Sequence, residues 1–293
     1  MAQNQAKISW RQLLDSLQTP ADVTELTGLS GAAVPFALSQ LAKRTSAPLT
    51  VVTRDPKDAE QLLDSLNLFS GPSARPLLFF PPYHITAYKR LAFHNETAAQ
   101  RIKTLYQMLE GQQPPVTVTT MAGMLQLLLP KQVLVDFCEL LLAGEEADRD
   151  ALVRKLIAGG YTRTALVEEH GDFSLRGGIL DIFAPLYDDP LRIEFFGDTV
   201  ESIRHFSADT QRTLGEVTEA VIAPAREAIV QQARLKAITG RIRTLSSQIG
   251  MPVTQVRQVM SQIKEEGIYP GMESLLPLIY PKLDTFFDYC TPN

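Results

Sequence analysis

The chain is poor in the residues that build covalent or metal-held frameworks. It has two cysteines, Cys138 and Cys290. They are too far apart for a metal-binding pair and too few for a disulfide scaffold, a usage that fits a reducing compartment. The four histidines, His84, His94, His170 and His205, stand at no metal-motif spacing. Positive charge is also short: 28 Lys and Arg face 33 Asp and Glu, a net charge of −5. The global positive field of a primary nucleic-acid binder is therefore missing, although a local basic patch stays compatible with the composition. Long apolar runs are absent too. The greasiest stretch, residues 124–142, is interrupted by Pro130, Lys131, Asp136 and Glu139, and a bilayer span needs about 18 residues with few or no charges. Residues 1–7 lack the apolar core of a secretory signal. The expectation is a soluble, cytoplasmic protein with no membrane partner.

What is present is ordinary globular material. Hydrophobic residues make up 45% and charged residues 21%, which excludes a disordered or fibrous chain. A length of 293 residues points to two or three domains of roughly 100–200 residues each. The 19 prolines and 17 glycines are scattered, so no low-complexity segment is expected.

Residues 1–130 read as strands alternating with helices. Ile8, Leu13, Leu14 and Leu17 suggest a short amphipathic helix, and Phe36, Leu38 and Leu41 another over residues 34–44. Apolar or β-branched runs at residues 48–53, 77–80 and 116–120 read as buried strands. Helices are expected from Pro56 through Leu66, over residues 95–110, and over residues 122–129. Short buried strands between helices predict a parallel α/β sheet.

The middle of the chain changes character. A helix over residues 149–158 ends at Gly159-Gly160, and short strands follow at residues 164–168, 172–176, 179–183, 191–196 and 199–206. Gly197-Asp198 between the last two is a hairpin signal. From residue 219 two helices are expected, over residues 233–249 and 252–266, the second closed by Gly267, before a Tyr/Pro-rich tail. The expected fold class is α/β: a parallel-sheet domain at 1–130, an inserted α+β domain at 131–218 and a closing segment at 219–293 that packs on the first domain.

Catalytic candidates fail on chemistry. Residues 26–35 place Gly28 and Gly31 where a phosphate-binding turn wants glycine. However, the lysine position holds Val34 and the hydroxyl position holds Pro35. Valine cannot neutralise a phosphate, and proline lacks both a hydroxyl and an N–H. No apolar strand ends in an acidic pair that would hold a metal. His170 beside Asp172 reads as a surface hydrogen bond, and Glu168-Glu169 as a solvated strand end. Ser174 and Ser202 have no base that the sequence can place. No catalytic residue, cofactor or metal is expected here.

Residues 160–183, ending Arg176-Gly177-Gly178-Ile179-Leu180-Asp181-Ile182-Phe183, are similar to the repair-recruiting domain shared by UvrB-type damage-recognition helicases and the transcription-repair coupling factor family (Mfd). So are residues 191–206 and Gln211-Arg212-Thr213. The flanks agree: Leu26-Thr27-Gly28, Phe80-Pro81-Pro82-Tyr83 with Tyr88, Pro224-Ala225-Arg226-Glu227, residues 267–277 and Phe287-Asp288-Tyr289 resemble family landmarks. Val34 and Pro35 favour the coupling factors, whose amino-terminal module is a degenerate copy of the UvrB-type helicase domain. Residues 89–96 are also too few for the long DNA-gripping hairpin of the UvrB type. A UvrB-type fragment that binds DNA and nucleotide is the alternative.

The resemblance implies an amino-terminal fragment, ending at Asn293, that binds UvrA to recruit nucleotide excision repair to RNA polymerase stalled at lesions. ATP, magnesium, double-stranded DNA and RNA polymerase would be engaged by a translocase elsewhere in the full-length parent. A distant carboxy-terminal domain would mask the UvrA surface.

Alternation along residues 191–196 puts Leu191, Ile193 and Phe195 on one face and Arg192, Glu194 and Phe196 on the other. Arg176 closes a neighbouring strand. Arginine and aromatic side chains dominate binding hot spots, and the resemblance assigns Arg176, Arg192 and Phe196 to UvrA, with Glu194 and Arg204 peripheral. The competing reading is a surface ion pair of Arg192 with Glu194 or Glu201. Val200, Ile203 and Phe206 break strict alternation, which predicts a bulge.

The degenerate turn generates a prediction. A ligand that binds only the native state must raise the melting temperature, so ATP with magnesium should leave the melting curve of this chain unmoved. An upward shift in differential scanning fluorimetry would show a nucleotide site that the residues at 34 and 35 are expected to exclude.

Overall fold

Strand and helix signals near Pro56 and Gly177 find their counterparts in a computed structural model that describes residues 25–71, 75–83, 95–110, 113–231, 234–265 and 271–290, with Gln12 and Val23. The helix expected around Ile8 to Leu17, Tyr88, most of residues 89–96 and the Gly267 cap lie outside the described residues. Two compact units divide the chain: residues 1–82 with 110–124, and residues 83–109 with 125–293.

The first unit is built on three parallel strands, β1 (Leu49–Thr53), β2 (Leu77–Phe80) and β3 (Val116–Thr120), in the order β1-β3-β2. The central β3 is buried along its whole length. Helices α1 (Ala33–Arg44) and α2 (Pro56–Ser70) supply Leu38, Ala42, Ala59 and Leu66, which pack with Val51, Phe79, Val116 and Val118. Asp55 starts α2: its carboxylate accepts the N–H of Asp58 at 2.9 Å, and Pro56 occupies the first turn, where a missing donor costs nothing. Arg75 ties the unit together. Its guanidinium donates to the carbonyls of Ala42, Thr45, Ala47, Pro114 and Pro115 at 2.6 to 3.2 Å. One side chain thus gathers carbonyls from the end of α1, from its connection to β1 and from the segment before β3.

The second unit opens with α3 (Asn95–Glu110). A helix expected over residues 122–129 is shorter, α4 (Met121–Leu125), and all but its last residue belong to the first unit. The backbone of Leu128 instead pairs with Asp284, exchanging N–H···O bonds of 2.8 and 3.2 Å. That long-range bridge, followed by Pro130, wins over local helix propensity. Helix α5 (Lys131–Phe137) leads into β4 (Glu139–Leu142), and α6 (Arg149–Ala158) ends at Gly159-Gly160 as expected.

A six-stranded sheet follows, ordered β10-β9-β8-β7-β6-β5. Its strands are β5 (Thr162–Arg163), β6 (Asp172–Arg176), β7 (Ile179–Ile182), β8 (Leu191–Phe196), β9 (Thr199–Phe206) and β10 (Thr213–Val217). All pairings are antiparallel except β5 with β6. The strand expected at residues 164–168 is not one. Thr162 lies beside Asp172 in parallel, so the intervening residues must loop back, and the Asp172 carboxylate accepts the N–H groups of Glu168 and Glu169 at 3.2 and 3.1 Å to hold that turn.

Phe173, Leu180, Leu191, Ile193, Phe195 and Ile203 form the core face of the sheet and pack with Leu152 and Leu156 of α6. Strand β11 (Glu219–Ile222) returns to pair with β4. Helices α7 (Leu235–Gln248) and α8 (Val253–Glu265) come next, within two residues of expectation. A 3-10 turn (Met272–Leu275), α9 (Leu276–Ile279) and α10 (Phe286–Cys290) complete the unit. The mixed α/β architecture read from the sequence is the one observed. Among the described residues no helix is long and apolar enough to cross a membrane.

The second unit also buries charge. Arg101 Nε donates to Glu227 Oε1 at 2.6 Å with both side chains almost fully enclosed, and Arg101 lies 4.2 Å over the Tyr83 ring. Glu273 is 5% exposed. Burial pushes its carboxyl up to about 7, against the pull of its own backbone N–H and of Arg226.

The unfolded chain releases this proton near the ordinary carboxylate value of 4.5, whereas the native state holds it to about 7. Between those values the native state binds more protons, so stability should fall as pH rises through that window. Glu273→Gln is neutral at every pH and should flatten that part of the profile in denaturant titrations at about pH 5 and about pH 8. An unchanged slope in the variant would contradict the assignment.

Candidate functional site

Two short turns aim the outer face of the six-stranded sheet. Gly177-Gly178 joins β6 to β7, with Arg176 opposite Ile179. A side chain on Gly178 would put its Cβ 2.6 Å from the Phe195 carbonyl oxygen, so only glycine allows the close approach in which Phe195 N–H donates to Gly178 O at 2.7 Å. Gly197-Asp198 joins β8 to β9 in the expected two-residue hairpin, with Phe196 opposite Thr199 and Gly197 at a φ of 64°.

The expected bulge is there. Glu194 faces Ser202 while Phe195 faces Val200, which leaves Glu201 as the extra residue. That insertion lets Val200 and Ile203 both reach the core while Ser202 and Arg204 share the outer face. Phe206 also lies on the outer side. It is buried there with Val167 and Phe183 in a small separate cluster.

Cross-strand register assembles two polar rows. One runs Ser174, Asp181, Arg192, Arg204 and Glu216; the other runs Arg176, Ile179, Glu194 and Ser202. Asp181 is 1% exposed and lies at the centre. Its carboxylate accepts from Arg192 Nε at 2.7 Å, Arg192 Nη2 at 2.9 Å and Arg176 Nη2 at 3.1 Å. The Arg192 guanidinium also stacks 4.6 Å over the Phe206 ring. Hydrogen bonding to Asp181 holds Arg192 above its ordinary pKa. Arg204 Nη2 donates to Glu194 Oε2 at 2.8 Å and to Ser202 Oγ at 3.0 Å.

The sequence-based ion pairs of Arg192 are corrected by this arrangement: its partner is Asp181, not Glu194 or Glu201, and Glu194 pairs with Arg204. Sequence reasoning missed Asp181 because β7 and β8 are joined by an eight-residue connection, residues 183–190, so no turn type declared their register.

Exposure grades the candidates. The Phe196 ring is 81% exposed. The Arg176 side chain is 59% accessible and Arg192 20%. The face therefore offers an aromatic ring and two guanidinium groups already held in place. Elsewhere the turn at Gly28 and Gly31 has φ values of 81° and 54°, with α1 beginning at Ala33, Val34 exposed and Pro35 buried. His170 does not pair with Asp172. Its Nδ1 lies 3.1 Å from Glu96 Oε2 and its Nε2 3.1 Å from the Tyr187 carbonyl, with the ring on Phe183 at 3.9 Å. Among the described residues no group of three or more His, Cys, Asp and Glu side chains could hold a metal ion.

Residues 140–227, which carry the whole of this face, match the family of the UvrB interaction domain. Over most of its length the chain is similar to proteins described as transcription-repair-coupling factors. The one from Myxococcus xanthus is 33% identical over 283 residues, 95% of this chain and 24% of the relative. That from Bacillus subtilis (strain 168) is 31% identical over 222 residues, 76% of this chain and 19% of the relative. That from Escherichia coli (strain K12) is 27% identical over 266 residues, 90% of this chain and 22% of the relative. The chain thus spans about a quarter of the length of these relatives or less.

A ring with almost nothing packed on it contributes little to folding. Phe196→Ala should leave the melting temperature within the scatter of surface substitutions, about ±0.5 kcal/mol, whereas truncating a core phenylalanine costs about 3–5 kcal/mol. A loss of the larger size on thermal denaturation would mean that the ring is a structural element rather than a presented one.

Proposed function

We propose, for a chain that belongs to the transcription-repair-coupling factor family and carries a UvrB interaction domain at residues 140–227, that it docks the damage sensor UvrA through the outer face of β6, β8 and β9. Arg176, Arg192 and Phe196 make the contact, with Glu194 and Arg204 at its margin. The observation that carries the reading is the exposed Phe196 ring beside two guanidinium groups fixed on one buried carboxylate. Hot spots combine an aromatic anchor that is desolvated on docking with arginines that recognise carboxylates, and Phe196, 81% exposed, is a ring that docking would desolvate.

In this reading the chain is a recruiting platform and not an enzyme. Val34 and Pro35 supply neither the cation nor the hydroxyl that nucleotide hydrolysis requires, and they weigh against a UvrB-type nucleotide-binding fragment. Residues 1–130 form a degenerate helicase-like domain, residues 131–218 the α+β domain inserted after it, and residues 219–293 the closing segment. The full-length parent would supply ATP-dependent translocation on double-stranded DNA and displacement of stalled RNA polymerase. Its carboxy-terminal domain would cover the docking face until UvrA is needed, and the cytoplasm is where these partners meet.

Calorimetric titration with purified UvrA tests the reading. Arg176→Ala and Phe196→Ala leave the Arg192–Asp181 fork intact, and each should weaken binding by about 2 kcal/mol or more. Arg192→Ala should cost at least as much, but it also strips a buried carboxylate of its main partner. Wild-type affinity in both exposed-residue variants would overturn the assignment.

A further inference from the structure

We propose that Asp181 is a positioning residue of this face, acting on the bound partner only through the two guanidinium groups it holds. The proposal rests on the UvrA-docking reading above. Asp181 is 1% exposed, so its carboxylate is closed to a partner, yet it fixes both arginines assigned to the contact. The Arg192 fork uses Nε–H and one Nη2 hydrogen, and the Phe206 ring closes one face of the guanidinium. Plane and direction are both set. Of the five N–H donors of an arginine, three stay available on Arg192, and Arg176 commits only Nη2 to Asp181. Side chains already held in one geometry lose less freedom on docking.

The charge count is as informative as the geometry. Two guanidinium groups on one carboxylate leave a net charge of about +1, which fits a single acidic side chain on the partner. Without Asp181 the two cations would repel each other and swing apart, and the partner would have to order both. A structural role alone would look different: loss of Asp181 would then weaken the strand packing whether or not the arginines were present.

A double-mutant cycle separates the two. UvrA affinity is measured by titration calorimetry for wild type, Asp181→Asn, Arg176→Ala/Arg192→Ala and the triple variant. Asp181→Asn should weaken binding about tenfold or more in the wild-type background and change nothing once both arginines are gone. Equal losses in the two backgrounds, or undiminished affinity of Asp181→Asn, would overturn the proposal. The Arg192 Nε–H resonance supplies a readout without UvrA: it should be protected from exchange in wild type and lose protection in Asp181→Asn, and equal protection in the two would count against the fork. Should Asp181→Asn fail to fold, Arg192→Lys decides. It keeps the charge opposite Asp181 but cannot form the two-bond fork, so it should bind UvrA as weakly as Arg192→Ala, and near-wild-type binding would refute the lock. Failure of wild type itself to bind UvrA would overturn the docking reading and this one together, whereas wild-type binding with additive losses overturns this one alone.

Discussion

A carboxylate removed from water must be compensated, and at Asp181 the compensation organises a whole surface. Burying an ionised group is tolerated only with charged, hydrogen-bonded partners. Here the partners come from the two neighbouring strands, Arg176 from β6 and Arg192 from β8. The requirement reaches outward. With the fork closed, the Arg192 guanidinium lies over the Phe206 ring, and Arg176 reaches the same carboxylate from the other side. Phe196 needs no such support. The Gly197-Asp198 hairpin turns the chain immediately after it and leaves the ring in solvent.

The same economy of one polar group organising several segments recurs elsewhere. In the first unit Arg75 gathers carbonyls from two stretches of chain, the end of α1 with its connection to β1, and Pro114-Pro115 before β3. In the second unit Arg101 and Glu227 form a buried pair between α3 and the segment after β11. Gln126 joins it, accepting from Arg101 Nη1 at 3.0 Å and bonding both the N–H and the carbonyl of Tyr83. Such pairs add little net stability over apolar substitutes, but breaking one is costly. They fasten segments that are far apart in sequence.

A surface built this way separates fold from function at the level of residues. Gly177, Gly178 and Gly197 shape the face through backbone geometry. Asp181 and Phe206 hold the arginines, and Phe196 is displayed with no packing role. The three arginines of this face sit within an acidic chain because each is paired, Arg176 and Arg192 with Asp181 and Arg204 with Glu194.

Much of the second unit was legible in order along the chain. Alternation over residues 191–196 sorted core from surface side chains correctly, the Gly-Asp pair marked its hairpin, and broken alternation at Val200 and Ile203 announced the bulge. These are local signals, because a period of two and a turn type depend only on neighbours in sequence. Failures came where a distant partner outbid a local preference: Leu128 left its helix for Asp284, and residues 164–168 became a loop so that Thr162 could meet Asp172.

The sequence by itself determined which side chains the outer face of β8 would display. It also determined that the glycine turn before α1 lacks the lysine and hydroxyl of a phosphate-binding loop, since both follow from residue identity and strand period. Only the tertiary structure decided that Arg192 and Arg176 share Asp181. Cross-strand register over an eight-residue connection is set by the packing of the core face on α6, and no neighbour in sequence records it.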